Sequence, residues 1–321
     1  MSGGRNRARL QRGLIRWGIA QITHFVWDRG QIGFRENPGG MRAVVRAGFS
    51  LTGLAWAIDL SLILGLSLAH GGTLLLVQGI WISGITGLIL LNIGFLSTLD
   101  DRTAQRLGAA NVISLGRFSL LPSLGYLILQ RCWTAALIGY LLLALSDVAD
   151  GIVARRRQEE TRLGFVLDPL SDVFVQITVF ACLFARARIE GWVLGAMLLR
   201  YGLLLFGCLA LYLIRGRIWI KPTPFGRASG VVLGTGTVLL LLGAALNWRE
   251  GMDRGIADAI GFIFLGGAVH VLVIGWVNFR RPAKAGYGDP GRWGLRLGPR
   301  RLAEAPPVSE SRAAGSRRRP R

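Results

Sequence analysis

Eight apolar runs of about 20 residues, separated by short polar or charged segments, dominate the chain between residues 47 and 278. They cover 47–69, 74–98, 111–130, 134–154, 166–185, 191–214, 230–247 and 258–278. At a helical rise of ~1.5 Å per residue, a run of that length matches a hydrocarbon layer ~30 Å thick. Lipid offers no partner to a backbone N–H or C=O, so such runs satisfy those groups internally as α-helices. The pattern predicts an all-α, polytopic membrane helix bundle. No internal repeat is visible.

The flanks differ from this core. The stretch "LQRGLIRWGIAQITHFVWDRG" at 10–30 mixes arginines with Leu, Ile and Trp at helical spacing. It suggests a helix lying on the inner membrane surface, with a plain juxtamembrane linker as the alternative. From Pro282 onward the tail is rich in Pro, Gly, Ser and Arg without periodicity, which predicts a mostly disordered segment that tethers to acidic lipid. The expected organisation is a basic N-terminal segment at 1–46, two helices at 47–100, a six-helix membrane domain at 101–280 and a basic tail at 281–321.

Composition supports a membrane protein: 51% of the 321 residues are hydrophobic, 17% are charged, and mean hydropathy is +0.44. The 45 glycines would weaken soluble helices but let membrane helices approach closely. Residues 1–46 lack the apolar run and small-residue cleavage site of a secretory signal. The net charge of +20 raises the question of nucleic acid, and its distribution answers it. With both termini in the cytoplasm, 32 of the 38 basic residues fall on the inner side. That asymmetry follows the positive-inside rule and calls for anionic lipid rather than nucleic acid as the partner. Localisation is therefore expected in the inner membrane.

Cys132, Cys182 and Cys208 lie in or beside different spans without paired spacing and read as small core residues. His24, His70 and His270 are scattered, with His270 inside the last span, where a hydrogen-bonded packing role is expected. Asp59, inside the first span, has no assigned role; a packing hydrogen bond and a functional one are equally compatible with its position.

The stretch "SDVADGIVARRRQEETRLGFVLDPLSDVFVQ" at 146–176 carries four aspartates where lipid would be expected. Asp147, Asp150, Gly151, Ala154 and Arg155 stand at i, i+3, i+4, i+7 and i+8, which is one helix face. Asp168 and Asp172, at i and i+4, share a face of the next helix, with Pro169 placed in its first turn. The charged loop between them lets the helices run antiparallel, gathering four acids at one interface. Such a group repels itself unless a cation joins it, and oxygen ligands select Mg²⁺, Mn²⁺ or Ca²⁺. Two such ions ~3.5–4 Å apart clamp in-line displacement at phosphorus. Gly151 and Gly164 leave room for a nucleotide against bare backbone, and Arg155 can neutralise phosphate. A set of interfacial caps would not align four acids on matching faces, and a calcium loop needs a different spacing. An ion or proton pathway stays open at this level, as in a divalent-cation transporter.

The spacing Asp147-x2-Asp150-Gly151-x2-Ala154-Arg155-x8-Gly164-x3-Asp168-x3-Asp172 matches, position for position, the hallmark motif of the CDP-alcohol phosphotransferase (CDP-alcohol phosphatidyltransferase) family. The resemblance spans roughly 105–280, six of the eight predicted helices. "NVISLGRFSLLP" at 111–122 resembles the family's first helix, with Asn111, Arg117 and Pro122 in the expected places. Arg200 stands where members with phosphorylated acceptors often have arginine, although the glutamate that often follows it is Tyr201 here. "KPTPFGRASG" at 221–230 resembles a segment that usually reads Gly-Lys-x-x-Thr, with Arg227 for Lys and Gly230 for Thr.

The resemblance implies a phospholipid synthase that displaces CMP from CDP-diacylglycerol with a small alcohol or alcohol-phosphate acceptor, similar to phosphatidylglycerophosphate synthases. A CDP-alcohol donor with diacylglycerol as acceptor is the alternative within the same motif. It implies two Mg²⁺ or Mn²⁺ ions held by Asp147, Asp150, Asp168 and Asp172. It also implies CDP contacts from Asp150, Gly151, Ala154, Arg155 and Gly164, and a catalytic base in Asp172. Arg117, Arg200, Lys221 and Arg227 are the expected acceptor-phosphate residues. A homodimer is implied as well, and the first two helices have no counterpart in the common core.

Overall fold

The computed structural model describes residues 37–91, 96, 107–157, 162–215, 218–219, 223–280 and 294–295. The amphipathic stretch at 10–30, most of the tail, and Lys221 lie outside them. Nine helices are described: α1 Pro38–Gly65, α2 Gly71–Leu91, α3 Ala109–Ser119, α4 Leu121–Leu129, α5 Trp133–Arg157, α6 Arg162–Ala185, α7 Gly191–Arg215, α8 Pro224–Ala245 and α9 Glu250–Arg280. Each of the eight predicted runs contains a described helix, with α3 and α4 sharing the third; residues 92–95 and 97–98 of the second run lie outside the described residues. Six spans are long and apolar enough to cross a membrane, and α5 and α7 contribute the shorter apolar stretches Trp133–Ala149 and Gly191–Gly207. The protein is an all-α polytopic membrane bundle.

The helices overrun the apolar runs because helix continues past hydrocarbon wherever the backbone is capped. Thus α1 starts at Pro38, within the expected N-terminal segment, where the Asn37 side chain accepts the Gly40 N–H at 2.9 Å. Likewise α8 starts at Pro224 under a Thr223 cap that accepts the Gly226 N–H at 3.0 Å. The same overrun corrects the placement of Pro169. Because α6 begins at Arg162, the proline sits inside the helix rather than in its first turn. Its missing N–H leaves the carbonyl of residue 165 without an i+4 donor. Within the tail, expected to be mostly disordered, Gly294–Leu295 pairs antiparallel with Ile218–Trp219.

The long α7 and α9 lie against each other, α5 packs on α3 and α8, and α6 on α3 and α4. Phe180, Phe264, Met197, Ile128 and Leu241 are fully buried between them. Phe49, Leu64, Leu76, Ile80, Phe206, Val231 and Phe262 are exposed instead, the outward apolar surface that lipid covers. The α1–α2 hairpin packs on the α3–α4 span.

One end of the bundle is closed by a charge pair. Arg188, just past α6, reaches Asp253 of α9 with Nη1 to Oδ2 at 3.0 Å and stacks 5.1 Å from the Trp133 ring of α5. Asp253 is almost wholly buried while Arg188 is about a quarter exposed, so water screens only one side. Replacing Asp253 by Asn strands the Arg188 charge and is expected to remove about 2–4 kcal/mol of stability. The measurement is the unfolding temperature of detergent-purified protein; an unchanged value would show the pair to be stability-neutral.

Candidate active site

Three helices converge at the opposite end. The last turns of α5 carry Asp147, α6 carries Asp168 and Asp172 one turn apart, and α3 places Ser114 and Arg117 between them. Ser114 Oγ donates to Asp168 Oδ1 at 3.1 Å. Arg117 Nη1 donates to Asp147 Oδ1 and stands 3.6 Å from Asp172 Oδ1. One guanidinium nitrogen therefore serves carboxylates from both facing helices. The exposures are opposite: the Arg117 side chain is 2% exposed, whereas Asp147 and Asp172 are 42% and 62% exposed. A buried cation thus props carboxylates whose other sides open to water, the arrangement needed to receive a polar ligand at the end of an apolar bundle.

The polar stripe of α6 continues inward. Gln176, one turn beyond Asp172, donates from Nε2 to Tyr140 Oη of α5 at 3.3 Å and accepts from Thr237 Oγ1 of α8 at 3.2 Å. Hydrogen bonding through Gln176 ties the helices below the carboxylates, and partnered groups of this kind rigidify a site.

Of the residues expected from sequence, Asp147, Asp168, Asp172 and Arg117 come together. Asp150, Gly151, Ala154 and Arg155 lie in the last turns of α5 and Gly164 in the first turn of α6. The side chains of Asp150, Ala154 and Arg155 lie outside the described structure. Arg117 touches the aspartates directly, and Arg200 occupies a separate place. The Arg200 Nη2 donates to Ser229 Oγ of α8 at 3.0 Å, and its guanidinium lies 5.7 and 5.8 Å from the Tyr201 and Phe264 rings. Its buried Nη1 has no hydrogen-bond partner among the described residues. Gly267 of α9 lies so close that a Cβ there would stand 2.7 Å from Arg200 Nε. Arg227 is exposed in the first turn of α8. His270 pairs with Thr223 Oγ1 at 3.2 Å, the packing role expected of it.

Among the described residues no three carboxylate, imidazole or thiol side chains enclose a metal position by themselves. The donor chemistry nevertheless fits a hard divalent cation: carboxylates only, on two facing helices, drawn to one shared positive group. Sequence reasoning missed Ser114, Gln176, Tyr140 and Thr237. The first two were within reach, since Ser114 is one turn before Arg117 and Gln176 extends the Asp168–Asp172 spacing. Nothing in the sequence marks Tyr140 or Thr237.

A family model described as CDP-alcohol phosphatidyltransferase matches residues 107–274. The chain is 31% identical over 171 residues to a CDP-diacylglycerol–glycerol-3-phosphate 3-phosphatidyltransferase of Aquifex aeolicus, covering 53% of this chain and 92% of that protein. It is 33% identical over 135 residues to a putative cardiolipin synthase of Mycobacterium tuberculosis, covering 40% of this chain and 63% of the relative. A cardiolipin synthase (CMP-forming) of Rattus norvegicus is 39% identical over 77 residues, 23% of this chain and 26% of the relative. No solved structure gives a significant match. The α1–α2 hairpin precedes the matched region.

Proposed function

The chain belongs to the CDP-alcohol phosphatidyltransferase family, and from that premise we propose that it is a phospholipid synthase transferring the phosphatidyl group of CDP-diacylglycerol to a phosphorylated alcohol. The observation that supports this most is the convergence of Asp147, Asp168 and Asp172, half open to water, at the end of an apolar bundle. A donor with acyl chains in lipid and a nucleotide in water needs such a boundary. By the charge asymmetry of the sequence it is the cytoplasmic one, with both termini on that side.

Two divalent ions, Mg²⁺ or Mn²⁺, held by Asp147, Asp150, Asp168 and Asp172, would supply charge neutralisation at the pyrophosphate. The bare backbone at Gly151 and Gly164 and the small Ala154 leave space for the CDP moiety, with Arg155 beside its phosphates. Asp172, more open than Asp147 or Asp168, takes the proton of the acceptor hydroxyl. The acceptor oxygen bonds to the β-phosphorus, the bond from that phosphorus to the bridging oxygen breaks, and CMP leaves with the electron pair. Arg117 holds Asp147 and Asp172 in register. Arg200, a half-buried cation whose Nη1 has no hydrogen-bond partner among the described residues, is the acceptor-phosphate residue.

The likeness to glycerol-3-phosphate phosphatidyltransferases favours glycerol 3-phosphate as acceptor, and the likeness to cardiolipin synthases favours a phosphate-bearing lipid such as phosphatidylglycerol as the second reading. Both share the donor. The test is CMP release from CDP-diacylglycerol by purified protein with Mg²⁺ or Mn²⁺, offered glycerol 3-phosphate, inositol phosphate, serine or phosphatidylglycerol. Release that depends on one phosphorylated acceptor, and that stops on chelation, is expected. Transfer only from a water-soluble CDP-alcohol to diacylglycerol would reverse the assignment of donor and acceptor.

A further inference from the structure

The third membrane span carries a built-in defect. Pro122 has no N–H, so the carbonyl of Phe118, four residues earlier, receives no helical hydrogen bond, and the span breaks at Leu120 between α3 and α4. In hydrocarbon an unpaired carbonyl is expensive. The structure supplies its partner from outside the family region. Trp81 of α2 donates from Nε1 to the Phe118 carbonyl at 2.8 Å. Gln78, on the same face of α2, donates from Nε2 to the carbonyl of Ser119, the last residue of α3. Asp59 of α1, fully buried, accepts from Ser123 Oγ at 2.6 Å on the other side of the break, so its unassigned carboxylate has a hydrogen-bonding place. The Trp81 ring also stacks on Phe118 at 5.8 Å, and Phe118 meets Phe174 of α6 at 5.3 Å.

Arg117 and Ser114 lie immediately before this break. They are the α3 residues that reach Asp147, Asp172 and Asp168. We propose that the α1–α2 hairpin is a positioning element of the active site: Gln78 and Trp81 cap the carbonyls at the proline break and so fix the segment that presents Arg117 and Ser114 to the aspartates. These are positioning residues, since they act through α3 and touch neither the aspartates nor the expected substrates.

The inference rests on the phosphatidyl-transfer reading for its kinetic arm only. The full chain in lipid nanodiscs is compared as wild type, Trp81→Phe, Gln78→Leu, Pro122→Ala and the Trp81→Phe/Pro122→Ala double variant. Trp81→Phe keeps an aromatic ring and loses the donor; Pro122→Ala gives residue 122 an N–H that can serve Phe118 instead. Loss of either α2 donor is expected to lower kcat roughly tenfold, with KM for CDP-diacylglycerol within about twofold. In the Pro122→Ala background, Trp81→Phe is expected to change kcat by less than about twofold, because capping is no longer required. Spin labels at Val112 of α3 and Leu145 of α5, both exposed, report the same coupling without any reaction. Their distance distribution should broaden in Trp81→Phe and recover in the double variant. Equal losses in both backgrounds, or a lower melting temperature with unchanged kcat and unchanged spin-label distances, would overturn the proposal. If Pro122→Ala does not fold, Gln78→Leu decides: a broadened distribution supports the proposal and an unchanged one ends it. A wild type without CMP release defeats the functional assignment, while the spin-label comparison still judges the hairpin.

Discussion

Asp172→Asn is expected to abolish CMP release, with a drop of roughly 10³-fold or more and no loss of folded protein. The size follows from asking one carboxylate to do two things. As the proposed base it would be worth about 10²–10⁴-fold, and as one of the four proposed oxygen donors its removal would weaken the hold on divalent ions. The folded state is spared because the Asp172 side chain is 62% exposed, and Arg117 Nη1, 3.6 Å away, is also held by Asp147. Asn preserves shape and removes charge, so a loss cannot be blamed on packing. The check is single-turnover CMP release at saturating Mg²⁺ or Mn²⁺, beside circular dichroism and melting temperature. Residual activity within about tenfold of wild type would remove Asp172 from the base role.

Arg200→Gln separates acceptor from donor. A charge-assisted hydrogen bond to phosphate contributes about 1.5–3 kcal/mol, so its loss is expected to raise KM for the phosphorylated acceptor roughly 10–100-fold. KM for CDP-diacylglycerol should not move, because the aspartate site has its own arginine in Arg117. Glutamine removes the charge and the Nη2 donor to Ser229 while keeping the first part of the side chain and an amide donor in the pocket, limiting the structural cost. Arg200 also packs against Tyr201, Phe264 and Gly267, which gives the opposing outcome a clear form. If melting temperature falls while the acceptor KM stays put, the arginine is a packing residue and the acceptor phosphate is bound elsewhere.

Which parts of the molecule were legible depended on the range of the interactions. The spans were readable because hydrophobic length reports directly on the bilayer, and the facing aspartate pairs because helical spacing is local. Helix ends were less so: Asn37–Pro38 and Thr223–Pro224 are start signals that a search for apolar runs passes over. Pro169 was misplaced for the same reason, since the charged residues before it wind into α6. Arg117 was expected beside an acceptor phosphate, and the structure puts it against Asp147, a contact spanning 30 residues of sequence. Pro122 was visible as a letter, but its effect depends on which donors stand beside the Phe118 carbonyl. Trp81 and Gln78 lie 37 and 41 residues from the carbonyls they serve, and no local pattern connects them. The Gln176, Tyr140 and Thr237 contacts are of the same long-range kind.

The proline break bears on biogenesis as well as on the finished enzyme. Synthesis proceeds from the N-terminus, so α1 and α2 reach the bilayer ahead of the α3–α4 span. The interrupted span then enters beside two indole and amide donors already in place, rather than into bare lipid. Order of translation thereby shelters the proline break of this span at the moment it is most exposed.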